Sequence, residues 1–191
     1  MSLHARMAWH TRLPRHEDWR HLRHWLLDRD SLTARLQSCG RFSIALLSQA
    51  LDAPTEDECA LLGLRQGRRA WIREVSLSVD DTPVVFAHTV LPMEPSGPLT
   101  RWLARLGSRS LGSMLFAHPG FSRGRIVCHT LDTRHTLYHR AITALGLNSP
   151  PPPQLWARRS CFGFGDQRIL VTEVFSPRLC AMQVPVTKKP Q

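Results

Sequence analysis

The chain has 191 residues, of which 42% are hydrophobic and 21% are charged, and its formal net charge is +10. This composition is typical of a globular chain with a sizeable core and excludes a disordered one. No apolar stretch reaches the roughly 18 residues that a membrane-spanning helix needs, and the first residues lack the apolar segment of a secretory signal.

Charge and cysteine content narrow the function classes further. Arginine accounts for 23 of the 25 basic residues, but no helix-turn-helix, zinc-finger or RNP-like pattern accompanies it, so we expect no nucleic-acid partner. The five cysteines form no CxxC pair and the ten histidines form no HExxH motif. We therefore expect reduced thiols, a cytoplasmic location and no metal site.

The first half of the chain predicts helices followed by a long hairpin. In chain order we expect an irregular arm over residues 1–15, a helix over His16–Leu27, a short helix over Leu32–Ser38, a strand over Phe42–Leu51, an acidic, turn-rich segment over 52–66, and strands over Arg69–Val79 and Val84–Leu91. Asp30 or Ser31 would cap the second helix, and Gly40 would end it. The turn Asp80–Pro83 would join the two strands into a hairpin.

The second half predicts short elements and a further hairpin. In chain order we expect a loop over Pro92–Pro98, a helix over Leu99–Leu106, a helix over Leu111–Phe116 capped by Ser110, a strand around Gly124–Thr130, an amphipathic helix over Arg134–Leu145, a Pro-rich connector over 147–153, strands over Leu155–Gly163 and Gln167–Phe175, and a loose tail over 181–191. Strands joined by hairpins, with helices between them, predict one α+β domain over residues 1–191. Its core would be a single antiparallel sheet with flanking helices.

A charged residue interrupts the apolar face of the first hairpin strand. Side chains alternate between two faces along a strand, so Val75 and Leu77 share a face with Arg73. A buried charge is costly unless it is paired and hydrogen-bonded. Arg73 is therefore a candidate ligand-binding residue, and its planar guanidinium suits a carboxylate.

Glu173 takes a comparable position near the C-terminal end, on one face with Val171 and Phe175. Two inward charges of opposite sign indicate a pocket for a small polar ligand. A structural salt bridge between Arg73 and Glu173 explains the same pattern. The sequence alone leaves both explanations open.

Two helix starts complete the candidate site. The segments Ser31-Leu32-Thr33 and Ser110-Leu111-Gly112 each place a capping serine before a helix. A helix N-terminus presents unpaired N–H groups and partial positive charge, which suit an anion, although ordinary capped helices share the pattern. With Arg73 and Glu173, the set suits a small carboxylic acid with a hydroxyl at its far end. No phosphate loop and no Ser-His-Asp or Cys-His grouping is evident, which indicates a reaction without cofactor or covalent intermediate.

Five short segments, in this order, resemble the chorismate–pyruvate lyase family. They are Trp25–Leu27 with Asp30–Thr33, Trp71–Val75, Gly107–Gly112 with Leu115 and Phe116, Leu155–Ser160, and Leu170–Phe175. The resemblance implies an enzyme that removes pyruvate from chorismate to leave 4-hydroxybenzoate, the first step of the ubiquinone ring pathway. It implies an antiparallel sheet on which two helical flaps close over an internal site.

The resemblance also assigns the site residues. The family's site arginine and glutamate match Arg73 and Glu173, which we expect to be catalytic, and its two backbone contacts match Leu32 and Leu111. Arg73 and the two amides would bind the ring carboxylate. Glu173 would accept a hydrogen bond from the hydroxyl end, and both substrate positioning and proton transfer are open to it.

We expect a monomer whose partners are chorismate, 4-hydroxybenzoate and pyruvate, without a cofactor. The alternative is a non-catalytic effector-binding domain of the same fold, as found in transcription regulators. Such a domain normally follows a DNA-binding segment, for which the residues before the first predicted helix leave no room.

Overall fold

Helices cover both faces of an antiparallel β-sheet. The computed structural model describes residues 9–11, 17–107 and 109–182. In chain order its elements are a 3-10 helix (Glu17–Leu22), α1 (Arg23–Leu26), α2 (Leu32–Cys39), β1 (Phe42–Asp52), α3 (Glu56–Leu62), β2 (Ala70–Val79), β3 (Thr82–Pro92), α4 (Pro98–Arg105), α5 (Leu111–Ala117), β4 (Ser122–Arg123), β5 (Val127–Leu131), α6 (Thr136–Ala144), β6 (Leu155–Phe164), β7 (Gln167–Phe175) and a second 3-10 helix (Pro177–Ala181).

The strands of this described part form one sheet in the order β1-β2-β3-β7-β6-β4, and β5 also pairs with β6. All of the strand pairs in it are antiparallel. The predicted α+β class with one antiparallel sheet and flanking helices is confirmed. Within the described ranges, no helix is long and apolar enough to cross a membrane.

The β2–β3 hairpin lies between β1 and β7 in the sheet. Asp80 and Asp81 form its turn with φ angles of 47° and 63°, the left-handed conformation that a two-residue hairpin turn requires. The turn is tighter than the predicted four-residue one, so β3 begins at Thr82. The predicted hairpin is confirmed with this difference.

Two rows of side chains cross the centre of the sheet, one on each face. Cross-strand pairing aligns Val75, Ala87, Glu173 and Arg158 on one face, and Glu74, His88, Thr172 and Arg159 on the other. Because successive strand residues point to opposite faces, the first row is apolar in β2 and β3 and charged in β7 and β6, whereas every residue of the second row is charged or polar. The first row borders the candidate site.

Different helices cover the two faces. On the site face, Leu36 of α2 and Leu115 of α5 are buried in the apolar core. On the opposite face, Leu137 of α6 is buried, and Leu62 of α3 packs beside Ile72. The sheet is therefore buried on both sides, and its inward polar groups must be satisfied by protein contacts.

Helix α3 is an α-helix that the sequence prediction missed, since residues 52–66 were expected to form turns. Thr55 and Glu58 form a capping box, and Gly63 ends the helix with a φ of 67°. The acidic first turn also suits the positive end of the helix dipole. The prediction was wrong because short, acidic segments with capping residues are typical of turns as well.

Other predicted elements have shifted ends. The predicted first helix is a 3-10 helix followed by a short α1, and the strand around Gly124–Thr130 is two strands, β4 and β5. Most of the predicted arm (1–15) and tail (181–191) lies outside the described residues. Within the arm, His10 forms a β-bridge with Cys128.

Candidate functional site

A cavity between the site face of the sheet and the starts of α2 and α5 brings together the four residues that the sequence singled out. The sheet contributes Arg73 and Glu173, and the helices contribute Leu32 and Leu111. The cavity has a volume of about 50 Å³. Its other lining residues are mainly apolar or hydroxyl-bearing: Val75, Leu77, Ala87, Val171, Leu115, Phe162, Thr33, Thr89, Ser110 and Ser160.

Arg73 supplies a buried positive charge to the cavity. Only 2% of the residue is exposed. Its Nη2 donates hydrogen bonds to the backbone oxygens of Gly107 and Arg109, at 2.9 and 3.0 Å. Its Nε has no hydrogen-bond partner within the described part of the chain, and burial lowers the pKa of Arg73. The guanidinium is therefore held in place by neutral acceptors and keeps a donor for a ligand.

Glu173 pairs with Arg158 and not with Arg73. The register of β6 and β7 sets Arg158 opposite Glu173, and Arg158 Nε donates to Glu173 Oε2. Arg158 is 1% exposed, and its Nη1 also donates to the backbone oxygens of Trp25 at 2.6 Å and Asp28 at 2.9 Å. The salt bridge between Arg73 and Glu173 that the sequence left open does not form.

The roof of the cavity consists of two helix starts in contact. Leu32 and Leu111 are the first residues of α2 and α5, so their N–H groups have no acceptor within their helices. Ser31 and Ser110 cap the helices through their side chains, as predicted. Thr33 Oγ1 and Ser110 Oγ lie 2.7 Å apart and share a hydrogen bond. The two helix starts therefore form one unit above Arg73.

Arg123 lines the cavity too, and sequence reasoning missed it. Its Nε and Nη2 donate to Ser160 Oγ at 3.1 and 3.0 Å, and its Nη1 donates to the backbone oxygen of Arg29 at 2.8 Å. Its guanidinium lies over the rings of Phe116 and Phe162, 5.4 and 5.2 Å from their centroids. Burial lowers its pKa to about 10. Strand β4 has two residues, too few for alternation to reveal an inward arginine.

Arg158 was missed as well, although its strand carries a usable signal. Arg158 and Arg159 are adjacent in β6, so they must point to opposite faces. One of two neighbouring arginines therefore had to share the face of Glu173. Choosing which one requires the register between β6 and β7, which local patterns do not specify.

A second buried cluster of charges lies on the opposite face of the sheet. His88 is 1% exposed, and its Nδ1 and Nε2 lie 2.8 Å from Glu74 Oε1 and 3.2 Å from Glu58 Oε1. Burial alone would lower the pKa of His88, but contacts with the two carboxylates outweigh it and raise the pKa. Arg159 Nη1 donates to Asp57 Oδ2 at 2.6 Å. The sheet separates this cluster from the cavity.

Solved structures with a similar fold include two bacterial proteins. The C-terminal domain of histidine utilization repressor from Pseudomonas syringae superposes with a TM-score of 0.56 at 10% identity, over 79% of this chain and 100% of that one. PhnF from Mycobacterium smegmatis has a TM-score of 0.57 at 17% identity, over 80% of this chain and 66% of that one. At such low identity these similarities establish the fold alone.

Other proteins share much more of their amino-acid sequence with this chain than these solved structures do. A protein of Aromatoleum aromaticum named "Probable chorismate pyruvate-lyase" is 46% identical, over 90% of this chain and 93% of its own length. One of Dechloromonas aromatica with the same name is 48% identical, over 85% of this chain and 90% of its own length. The sequence model of the family described as chorismate lyase matches residues 15–184. With a match across nearly its whole length, the chain belongs to the chorismate lyase family.

Proposed function

We propose that the protein is a chorismate–pyruvate lyase, which converts chorismate to 4-hydroxybenzoate and pyruvate and so supplies the ring precursor of ubiquinone. The observation that carries the proposal is the cavity in which Arg73, two helix starts and Glu173 surround one space. The names of the relatives in Aromatoleum aromaticum and Dechloromonas aromatica support the same activity.

The reaction is an elimination that makes the ring aromatic. The bond between the ring and the ether oxygen breaks, and the ring carbon that bears the hydroxyl loses its proton. The departing enolpyruvate takes up a proton and becomes pyruvate, so atoms and charge balance without an oxidant or reductant. Aromatic stabilisation drives the step. The protein has to orient the substrate, exclude water and stabilise negative charge on the departing oxygen.

Arg73 and the roof would bind the ring carboxylate. The guanidinium is fixed by the backbone oxygens of Gly107 and Arg109, so little orientation entropy is lost when an anion binds. The N–H groups of Leu32 and Leu111 would donate to the same carboxylate from above. Charge-assisted hydrogen bonds of this kind are about twice as strong as neutral ones.

Glu173 would hold the hydroxyl at the far end of the ring. It lines the cavity, and Arg158, which is not among the lining residues, holds its carboxylate by a hydrogen bond. Glu173 accepts a hydrogen bond from the ring hydroxyl in this arrangement and lies beside the carbon that loses its proton. Arg158 is thus a positioning residue, and Glu173 is a catalytic one.

A non-catalytic effector-binding domain is the second candidate function. The observation that favours it is the fold shared with the C-terminal domain of a repressor. Both functions require a closed cavity for a small anion. Turnover separates them, since an effector-binding domain would bind its ligand and release it unchanged.

The test is incubation of the purified, dialysed protein with chorismate in the presence of EDTA. We expect 4-hydroxybenzoate and pyruvate in equal amounts, over many turnovers, because the elimination needs neither a metal nor a redox cofactor. Heat-inactivated protein controls for spontaneous decay of chorismate. Binding of chorismate without accelerated decay would instead support the effector-binding function.

We further propose that the enzyme works as a monomer in the cytoplasm. The cavity is lined by residues of one chain, so a second copy is not needed to complete it. The cysteines Cys39, Cys59, Cys128, Cys161 and Cys180 are all unpaired, which is typical of a reducing compartment.

A further inference from the structure

The cavity carries more positive charge than a single ligand carboxylate requires. Arg73 and Arg123 line it, and Glu173 is its acidic residue. Glu173 already pairs with Arg158. Within the described ranges, Arg73 and Arg123 donate only to backbone oxygens and a serine hydroxyl, so neither guanidinium has a carboxylate within salt-bridge distance. A ligand with two carboxylates would neutralise both.

The two arginines reach the cavity from opposite ends of one row of side chains. Cross-strand pairing aligns Arg73, Thr89, Val171 and Ser160 across β2, β3, β7 and β6. Three strand spacings separate the ends of this row by roughly 14 Å. Ser160 holds the guanidinium of Arg123. An anion bound at Arg73 therefore leaves Arg123 available to a second anionic group on the same ligand.

The contacts of Arg123 fix its orientation and leave its charge intact. Phe116 and Phe162 lie under the guanidinium and also line the cavity. Its hydrogen bonds to Ser160 and to the backbone oxygen of Arg29 use only part of its donor capacity. A planar guanidinium held in this way is arranged for bidentate binding of a carboxylate.

We propose that Arg123 binds the carboxylate of the enolpyruvyl group of chorismate, the part that leaves as pyruvate. The inference rests on the proposed function, in which Arg73 binds the ring carboxylate. Arg123 then contributes to binding of the substrate and of the departing enolpyruvate. It does not contribute to binding of 4-hydroxybenzoate, which retains the ring carboxylate but has lost the enolpyruvyl group.

The test compares substrate and product in the same variants. For Arg123→Gln we expect kcat/KM for chorismate to fall about 30- to 4,000-fold, the range for loss of a partner from a desolvated charge pair. The Kd for 4-hydroxybenzoate, measured by calorimetry, should stay within about twofold because that ligand does not reach Arg123. Arg123→Lys should recover part of the chorismate activity, since lysine keeps the positive charge but cannot bind a carboxylate bidentately.

Arg125→Gln is the matched control. Arg125 lies two residues away, is exposed and does not line the cavity, so its loss removes the same charge from the molecule without touching a bound ligand. Arg125→Gln should leave kcat/KM for chorismate and Kd for 4-hydroxybenzoate within about twofold of the wild-type values. Melting curves verify folding, and if Arg123→Gln does not fold, the same comparison is made with Arg123→Lys.

The outcomes separate this inference from the proposed function. Unchanged kcat/KM for chorismate in Arg123→Gln, or equal weakening of chorismate and 4-hydroxybenzoate, would overturn the role of Arg123 while leaving the lyase intact. If the wild type binds chorismate without turnover, the proposed function fails. Loss of chorismate affinity in Arg123→Gln would then still support the binding role. No binding of chorismate to the wild type would overturn both.

Discussion

Arg73 is buried and has no carboxylate partner in the described part of the chain. Its substitution therefore tests whether it binds a carboxylate of the ligand. Arg73→Ala should abolish most turnover, because a desolvated ligand carboxylate would lose about 2–5 kcal/mol of interaction. Arg73→Lys should restore little, since lysine lacks the planar fork. The measurements are kcat/KM for chorismate and Kd for 4-hydroxybenzoate, with Arg101→Ala on the exposed side of α4 as control. Wild-type kinetics in Arg73→Ala would show that Arg73 does not bind the substrate carboxylate.

Glu173 lines the cavity and pairs with Arg158. The substitution Glu173→Gln therefore changes both the ligand site and this ion pair. The amide oxygen still accepts a hydrogen bond from Arg158, but the buried positive charge of Arg158 is no longer neutralised, so stability should fall by about 3–5 kcal/mol. Turnover per folded molecule should fall as well, because an amide is a weak acceptor and cannot take a proton. Thermal unfolding and chorismate turnover are measured on one preparation, with Asp166→Asn in the exposed β6–β7 turn as control. A lower melting temperature with unchanged turnover would make Glu173 a structural residue only.

At the level of elements, the roof has to move for a ligand to enter. The cavity volume of about 50 Å³ is well below the roughly 150 Å³ of an engineered cavity that binds benzene. Helices α2 and α5 are joined by the hydrogen bond between Thr33 and Ser110. Because the sheet behind Arg73 is continuous, the helix starts are the part of the enclosure that can open.

Thr33→Val tests this opening. Valine has nearly the same shape but cannot share the hydrogen bond with Ser110, which contributes about 0.5–1.5 kcal/mol to closure. The dissociation rate of 4-hydroxybenzoate should therefore rise by roughly 2- to 10-fold. Stopped-flow release is compared with that of Ser38→Ala, which removes an exposed hydroxyl from the other end of α2. An unchanged release rate would show that the contact does not hold the roof closed.

Local sequence signals predicted most of the helices and strands and some of the residues that line the cavity. Capping serines marked the starts of α2 and α5, and strand alternation placed Arg73 and Glu173 on inward faces. The partner of Glu173 was not predictable, because it depends on the register between two strands. Arg123 was not predictable either, since it lies in a two-residue strand whose position is fixed only by pairing with β6.

Across the whole molecule, the buried cluster behind the sheet makes stability depend on pH. Its acidic members are Asp57, Glu58 and Glu74, and its basic members are Arg140, Arg159 and His88. The charges balance when His88 is protonated, and the pKa of His88 is raised above its ordinary value of 6.5. The protonated histidine therefore stabilises the fold fully below about pH 6.5, and this contribution is lost as the pH rises through the higher folded pKa.

The expected result is a fall in the free energy of unfolding as the pH rises above 6.5. His88→Gln should be less stable near neutral pH and should lack this slope, whereas His21→Gln, at an exposed position, should keep it. Urea unfolding at a series of pH values measures both. Parallel stability profiles for wild type and His88→Gln would show that His88 does not titrate with folding.

Lowering the pH into the acidic range also reduces the stability that this cluster contributes, because its carboxylates become protonated. Burial alone would raise the pKa of Asp57, but Arg159 and a hydrogen bond from Thr55 lower it to about 2. Its contribution is therefore present above an ordinary pKa of 3.8 and is lost as the pH falls towards 2. Asp57→Asn should reduce the loss of unfolding free energy in this acidic range. The same loss in wild type and variant would assign acid unfolding to other carboxyl groups.

A structure of the protein with bound 4-hydroxybenzoate tests the central claim most directly, namely that this cavity binds the aromatic product in one orientation. We predict the carboxylate within hydrogen-bond distance of the Arg73 guanidinium and the N–H groups of Leu32 and Leu111. The phenol oxygen should lie beside Glu173. A product molecule bound outside the cavity, or one with its carboxylate at Glu173 and its hydroxyl at Arg73, would contradict the account.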